Sequence, residues 1–181
     1  MLNAPAEVLS RAANVKLAIF DVDGVLTDGR LLLGDNGVEY KAFHSRDGHG
    51  MKMLAQSGVD LAIITGRRSQ LVAERMSSLG IVHVHQGHAS KLPVFEKLIA
   101  DLDLGAEQVA YVGDDVVDLG IMARVGLAVA VANAHPLVLQ QAHWHTPSDG
   151  GRGAAREVCD LIMHAHGTLD AAHHDYLTGR A

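Results

Sequence analysis

Five short apolar runs, each stopping abruptly at polar or glycine residues, limit what this chain can become. They cover residues 15–20, 59–64, 81–85, 109–112 and 127–131. Their length and β-branched content suit strands buried on both faces, as in a parallel sheet; a sheet with one wet face would alternate apolar and polar residues. Between the runs, apolar residues recur at helical spacing. Met51, Leu54 and Ala55 form one stripe, and Leu71, Val72, Met76 and Leu79 a second, closed by Gly80 as a C-cap. Phe95, Leu98, Ile99 and Leu102 form a third, and Val158, Leu161 and Ile162 a fourth. The alternation predicts a doubly wound, Rossmann-like α/β fold around a parallel sheet. At 181 residues the chain suits one such domain, residues 1–181.

One segment breaks the alternation. Residues 24–43 read as two short strands around Gly34-Asp35-Asn36-Gly37, a β-hairpin directly after the first strand. The tail, residues 168–181, is polar and His-rich and is expected to be mobile. No repeat or interdomain linker interrupts the chain.

Charge narrows the partners. The net charge is −6, no long basic block appears, and aromatic residues are 4%, so neither a duplex nucleic acid nor stacked single-stranded bases are expected as ligands. Residues 1–14 lack the apolar core of a signal peptide, and the longest apolar stretch, residues 125–132, is far short of a membrane span. A lone cysteine, Cys159, cannot form an internal disulfide. A soluble, cytoplasmic protein is expected.

Open α/β sheets bind ligands beyond the carboxyl ends of their strands, where the strand order reverses. The first run ends in Asp21-Val22-Asp23-Gly24, and the second in Thr65-Gly66-Arg67. The fourth ends in Gly113-Asp114-Asp115, with Asp118 a turn later, and Lys91 opens the helix after the third. Such a set of carboxylates with one ammonium and one hydroxyl suits Mg²⁺, which prefers hard oxygen ligands. One carboxylate can attack phosphorus, and a second, two residues on, can serve as acid and then base. Thr65 and Lys91 would hold the phosphoryl oxygens. Taken singly, each has a plainer reading. Asp-x-Asp is common in turns, Thr65 is a cap, Lys91 is a solvated side chain, and Asp114 and Asp115 cap the next helix. All four groups at strand or helix ends, in this order, point instead to one site.

In these motifs the chain resembles the haloacid dehalogenase superfamily of phosphohydrolases, in its capless subclass. Asp21, Asp23 and Val25 match the first motif, Thr65 the second, Lys91 the third, and Gly113-Asp114-Asp115 with Asp118 the fourth. The segments Phe43-His44-Ser45-Arg46-Asp47-Gly48-His49-Gly50 and Gly150-Gly151-Arg152-Gly153 narrow the likeness to phosphatases of sugar acid phosphates. The resemblance implies that Asp21 is the nucleophile and Asp23 the general acid/base, with Thr65 and Lys91 completing the catalytic set. It implies Mg²⁺ held by Asp21, Asp114 and the backbone carbonyl of Asp23, supported by Asp115 and Asp118. It also implies substrate contacts from Asp23, His44, Ser45, Arg46, Asp47, Gly48, Lys52, Arg67, Arg75 and Lys91. Arginine binds carboxylates bidentately, which fits a substrate carrying a second anion besides phosphate; the plainer alternative for Arg75 is an exposed helix face. Nonulosonate 9-phosphate phosphatases share the same motifs.

A receiver-like signalling module also uses an Asp cluster, Mg²⁺, Thr and Lys, but its phosphoacceptor follows the third strand and its acidic pair the first, the reverse of the emphasis here. A dehalogenase has no need of the proton donor that Asp23 supplies. Neither interval between motifs is long enough for an inserted cap domain. Leu31, Leu32 and Leu33 in succession would leave both faces of the hairpin apolar, and these two features, with the family resemblance, predict a homo-oligomer, a tetramer, in which a neighbour roofs the site; the alternative folds the hairpin back on its own domain. Weaker signals remain. His83, His85 and His88, or His143 and His145, suit metal ligation or ordinary packing, packing being the simpler. Gly48-His49-Gly50 lacks the context of a dinucleotide fingerprint. Residues 150–153 read as an anion nest or a flexible turn, and Cys159 as core.

Overall fold

The computed structural model describes residues 4–180. Six parallel strands form the sheet: β1 (Leu17–Phe20), β4 (Asp60–Thr65), β5 (His83–Gln86), β6 (Val109–Gly113), β7 (Leu127–Ala130) and β8 (Trp144–His145), while β2 (Leu32–Leu33) and β3 (Glu39–Tyr40) make a separate hairpin. The helices are α1 (Ala6–Ala12), α2 (Ser45–Gln56), α3 (Gln70–Leu79), α4 (Leu92–Asp101), α5 (Leu119–Met122), α6 (Pro136–Gln141), α7 (Ala154–Ala165) and α8 (Leu169–Leu177). All five apolar runs become strands of the parallel sheet, as expected of the doubly wound class.

The order β5-β4-β1-β6-β7-β8 places the first strand at the centre. All of β1 is buried, and Phe20 pairs with Ile63 on one side and Val112 on the other. The chain builds outward from β1 through β4 to β5, then returns to the far side of β1 as β6. The order therefore reverses between β1 and β6, and their carboxyl ends flank the crevice where such sheets bind ligands. Helices that touch one another fall into two groups, α1, α2, α3, α7 and α8 in one and α4, α5 and α6 in the other. Two buried glycines let α2 approach its neighbours closely. A Cβ at Gly48 would lie 2.2 Å from Arg75 Nη2, and one at Gly50 2.5 Å from Arg156 Cδ. Gly48-His49-Gly50 is thus a packing device.

Several expectations need correction. Beyond the five apolar runs, the segment around His143 and His145 adds β8 at the sheet edge, where Trp144 is buried beside β7. In the α2 stripe Ala55 is exposed and Met53 is buried in its place. The hairpin strands are only two residues each, and the chain before them turns at residues 23–26: Val22 O accepts from the N–H groups of Val25, Leu26 and Thr27. The polar tail is helical over Leu169–Leu177 and anchored by buried Leu169. The glycine-rich segment is a backbone-packing turn. Its N–H groups donate inward, from Gly150 to Asn133 Oδ1, Gly151 to Val25 O and Gly153 to Asp47 Oδ2. Cys159 is fully buried, as a core residue should be. No helix among the described residues is long and apolar enough to cross a membrane.

Candidate active site

At the carboxyl end of β1 the chain turns sharply, which leaves Asp21 at the rim of the sheet and 5% exposed. Its Oδ1 accepts from Val22 N–H at 2.7 Å, and its Oδ2 lies 2.7 Å from Lys91 Nζ. Lys91, just before α4, is itself buried, and a buried ammonium is tolerated only when paired. Asp118 supplies the second partner, with Oδ1 2.7 Å from Lys91 Nζ and 2.6 Å from the Tyr111 hydroxyl, which donates to it. Asp118 Oδ2 accepts from the N–H groups of Asp114 and Asp115 at 3.0 and 3.2 Å. Every oxygen of Asp118 is engaged, so it acts as a strut that locks Lys91 and the loop after β6. Asp115 caps the turn that follows, accepting from Val116 N–H at 2.7 Å.

Asp114 is different. Its Oδ1 is buried with no hydrogen-bond partner. Burial first, and then the charges of Asp118 and Asp21, push its carboxyl up to about 7. Burial likewise raises Asp21 to about 6, against the pull of Lys91. Burial works against the Lys91 ammonium, but Asp21 and Asp118 more than offset it and raise the lysine. One ammonium is too little charge for this set of carboxylates. Oxygens of Asp21, Asp114 and Asp118 lie within 4.8 Å of one another. Because Asp118 is already saturated, Asp21 and Asp114 are the residues fitted to hold a cation, and an all-oxygen donor set suits Mg²⁺. Gly24 makes room for this: at φ +96, a Cβ there would sit 2.0 Å from Asp114 Oδ2.

The crevice above these residues has a volume of about 420 Å³ and is also lined by Asp23, Thr65, Arg67 and His88. Thr65 is 2% exposed at the end of β4. Arg67 Nε lies 3.6 Å from Asp23 Oδ2. The structure therefore brings Asp21, Asp23, Thr65, Arg67, Lys91, Asp114 and Asp115 to one cleft. It does not bring His44, Ser45, Arg46, Asp47, Gly48, Lys52 or Arg75 into its lining. Asp47 is buried and accepts from Arg156 N–H at 2.9 Å and Gly153 N–H at 3.3 Å, tying α2 to α7. Arg75 packs on Gly48, and Lys52 faces outward from α2. Two of the histidines pack: His143 Nδ1 accepts from Ala128 N–H at 2.9 Å, and His145 Nε2 contacts Leu139 O at 2.7 Å. Among the described residues, the one ligand cluster is the carboxylate set.

Three participants were not visible in the sequence. Tyr111 reads as one apolar residue of β6 and reveals its role only through its hydroxyl. Glu39 and Lys41 lie in the hairpin, where alternate polar residues look solvent-facing. Lys41 instead pairs with Asp23, and with Glu39 at 3.5 Å. The Ser69 hydroxyl, with help from Lys41 and Arg67, holds Glu39 below the usual carboxylate range.

These raised carboxyls have a measurable consequence. Both groups stand above their ordinary value of 3.8, so the metal-free fold binds more protons than the unfolded chain. Its stability should therefore fall as pH rises from about 4 to about 7, and level off above that. Mg²⁺ competes with those protons. A saturating excess should raise the melting temperature by about 5–10 °C near pH 8 and clearly less near pH 5.5. Thermal scans with and without the metal check this; a shift independent of pH would contradict it.

A buried carboxylate paired with a lysine, a second carboxylate two residues on and a cation cradle at a sheet's switch point are the chemistry of a metal-assisted hydrolase. Residues 72–158 match the family of haloacid dehalogenase-like hydrolases. The chain is 53% identical over 166 residues to the 3-deoxy-D-manno-octulosonate 8-phosphate phosphatase of Yersinia pestis, covering 92% of this chain and 89% of that protein. A probable phosphatase structure from Pseudomonas syringae superposes with a TM-score of 0.95 at 54% identity, covering 96% and 98% of the two chains. The Moraxella catarrhalis 3-deoxy-D-manno-octulosonate 8-phosphate phosphatase, solved with magnesium, phosphate and the sugar acid, superposes at 0.92 with 39% identity, covering 94% and 98%. The chain belongs to the haloacid dehalogenase-like hydrolases, in the family of 3-deoxy-D-manno-octulosonate 8-phosphate phosphatases.

Proposed function

We propose that this chain is a Mg²⁺-dependent phosphatase that converts 3-deoxy-D-manno-octulosonate 8-phosphate to the free sugar acid and inorganic phosphate, a step of lipopolysaccharide biosynthesis. The observation that carries this is the convergence of Asp21 and the orphaned Asp114 at the switch point, in a chain so close to phosphatases of that substrate. Asp21 attacks phosphorus, and the bond from phosphorus to the sugar oxygen breaks. Asp23 gives its proton to that departing oxygen. Asp23 then takes a proton from water as the water attacks the aspartyl-phosphate, the bond to Asp21 breaks, and phosphate leaves. Thr65 and Lys91 hold the phosphoryl oxygens, and Lys91 keeps Asp21 ionised. Asp21, Asp114 and the Asp23 carbonyl would hold Mg²⁺, which when bound would offset the charge of nucleophile and phosphate.

Arg67 and Lys91 supply positive charge in the cleft itself. We assign the sugar carboxylate to Arg67 and, as the roof from a neighbouring subunit, to exposed Arg46 and Lys52 with Ser45 and the half-buried His44 and Arg75, while buried Asp47 and Gly48 hold that segment in place. A panel of sugar phosphates tests the substrate. Phosphates of 2-keto-3-deoxy sugar acids, with 8- and 9-phosphates compared, should exceed glucose 6-phosphate in kcat/KM by at least about 100-fold. Arg67→Ala should erase much of that preference. Equal rates on glucose 6-phosphate would contradict it.

The roof implies a homo-oligomer, and a tetramer is the form proposed. Leu32, Leu33 and Tyr40 of the hairpin are half-exposed or more, and Leu31 and Val117, also exposed, line the mouth of the cleft. Such an apolar patch beside an open site is the mark of an interface. Light scattering should report four chains per particle; a fully active monomer at assay concentration would overturn this. A lone, fully buried thiol, Cys159, suits a reducing compartment, and a cytoplasmic enzyme is proposed on that ground.

A further inference from the structure

Apart from Lys91, one lysine has its side chain almost wholly buried beside a carboxylate. The side chain of Lys41, directly after β3, is 2% exposed, and its ammonium sits against Asp23 Oδ1. Glu39, two residues earlier and so on the same face of the strand, lies 3.5 Å from the same ammonium. Arg67 completes the set, with Nε 3.6 Å from Asp23 Oδ2 and Nη2 3.3 Å from Glu39 Oε1. Asp23, Lys41, Glu39 and Arg67 thus close a ring of alternating charge, in which each Asp23 oxygen faces a cation.

Stability alone is a weak reason for such a ring. Burying an ammonium is costly, and an ion pair made that way is often no better than apolar packing. The hairpin also gains little from burial, since its leucines are exposed. What the ring does provide is a fixed carboxylate. Asp23 opens the turn after β1 and, without its two cations, could adopt several rotamers. We infer that Lys41 is a positioning residue: with Glu39 and Arg67 it fixes the Asp23 carboxylate where it can pass a proton to the departing sugar oxygen and later take one from water. This rests on the phosphatase reading above. It adds that the hairpin root is part of the acid/base machinery rather than only an interface.

The test compares two substrates that differ in their need for a proton. The sugar oxygen of 3-deoxy-D-manno-octulosonate 8-phosphate leaves as a poor alkoxide unless protonated, whereas p-nitrophenolate leaves without help. In both, the phosphorus–oxygen bond breaks with its electron pair going to the leaving oxygen. Because kcat/KM spans the steps through that cleavage, Lys41→Met should lower it on the sugar phosphate by about 10- to 100-fold and on p-nitrophenyl phosphate by less than about 3-fold. Its kcat on p-nitrophenyl phosphate should also fall, with a burst of p-nitrophenolate, because Asp23 still serves the second step. Lys41→Arg should recover most of the loss, and Glu39→Gln should show the same selectivity in milder form. Equal losses on both substrates, or no loss, in a folded variant would overturn the inference. Should Lys41→Met fail to fold, Lys41→Arg and Glu39→Gln carry the same comparison, and equal effects there overturn it as well. Wild-type protein inactive on both substrates with Mg²⁺ would instead overturn the phosphatase reading, and with it this inference.

Discussion

Asp21→Asn should leave a folded protein whose phosphate release falls by at least about 10⁴-fold, because an amide cannot serve as the nucleophile. The substitution is nearly isosteric, keeps an acceptor for Val22 N–H, and leaves Lys91 its pairing with Asp118. It also removes one charge from a crowded carboxylate cluster, so the loss should not come from unfolding. Rapid quenching should trap no phosphorylated protein. Asp23→Asn should behave differently: the intermediate should form on activated substrates and then break down slowly. A near wild-type rate for Asp21→Asn would remove the nucleophile from the mechanism.

The second large effect concerns stability. Asp118→Ala would strip Lys91 of a 2.7 Å partner, leave the buried Tyr111 hydroxyl without its acceptor, and free two N–H groups in the loop that carries Asp114. Breaking a buried pair on one side typically costs about 3–5 kcal/mol. For a chain of this size that lowers the melting temperature by roughly 10 °C. Activity should fall with it, since Lys91 and Asp114 both lose their tether. Asp118→Asn keeps most of the hydrogen bonds and should be milder. A change under about 2 °C for Asp118→Ala, read by calorimetry, would contradict the strut role.

How much of this could be read from residues alone follows from the range of the interactions. The strands of the parallel sheet announce themselves because burial on both faces demands unbroken apolar runs, and Asp21, Thr65 and Asp114 were legible because they terminate those runs. The C-cap at Gly80 was legible for a similarly local reason, and the structure places it at φ +77. At Trp144–His145 the alternation of histidines marks a strand, but two residues are too few to fix its place at the sheet edge. The helix over Leu169–Leu177 was hidden by polar composition; its fold depends on docking rather than on an apolar stripe. In the site, Tyr111 and Lys41 were missed because their partners lie 7 and 18 residues away and are known only from packing. For Asp47 the structure supplies a local task, tying α2 to α7, that no motif would suggest. The cluster from His44 to Gly48 shows the opposite limit: it lies outside the lining of its own chain's cleft, so its assignment to substrate turns on a neighbouring copy.

The most direct test of the central claim counts phosphate released from 3-deoxy-D-manno-octulosonate 8-phosphate, per chain, with Mg²⁺ present, after chelation, and after Mg²⁺ is restored. A phosphatase of the kind described should release phosphate continuously, many equivalents per chain, stop on chelation and resume when the metal returns. Release that halts at about one equivalent would mark a phosphoacceptor that holds its phosphoryl group, and full turnover in excess chelator would contradict the cation cradle at Asp21 and Asp114.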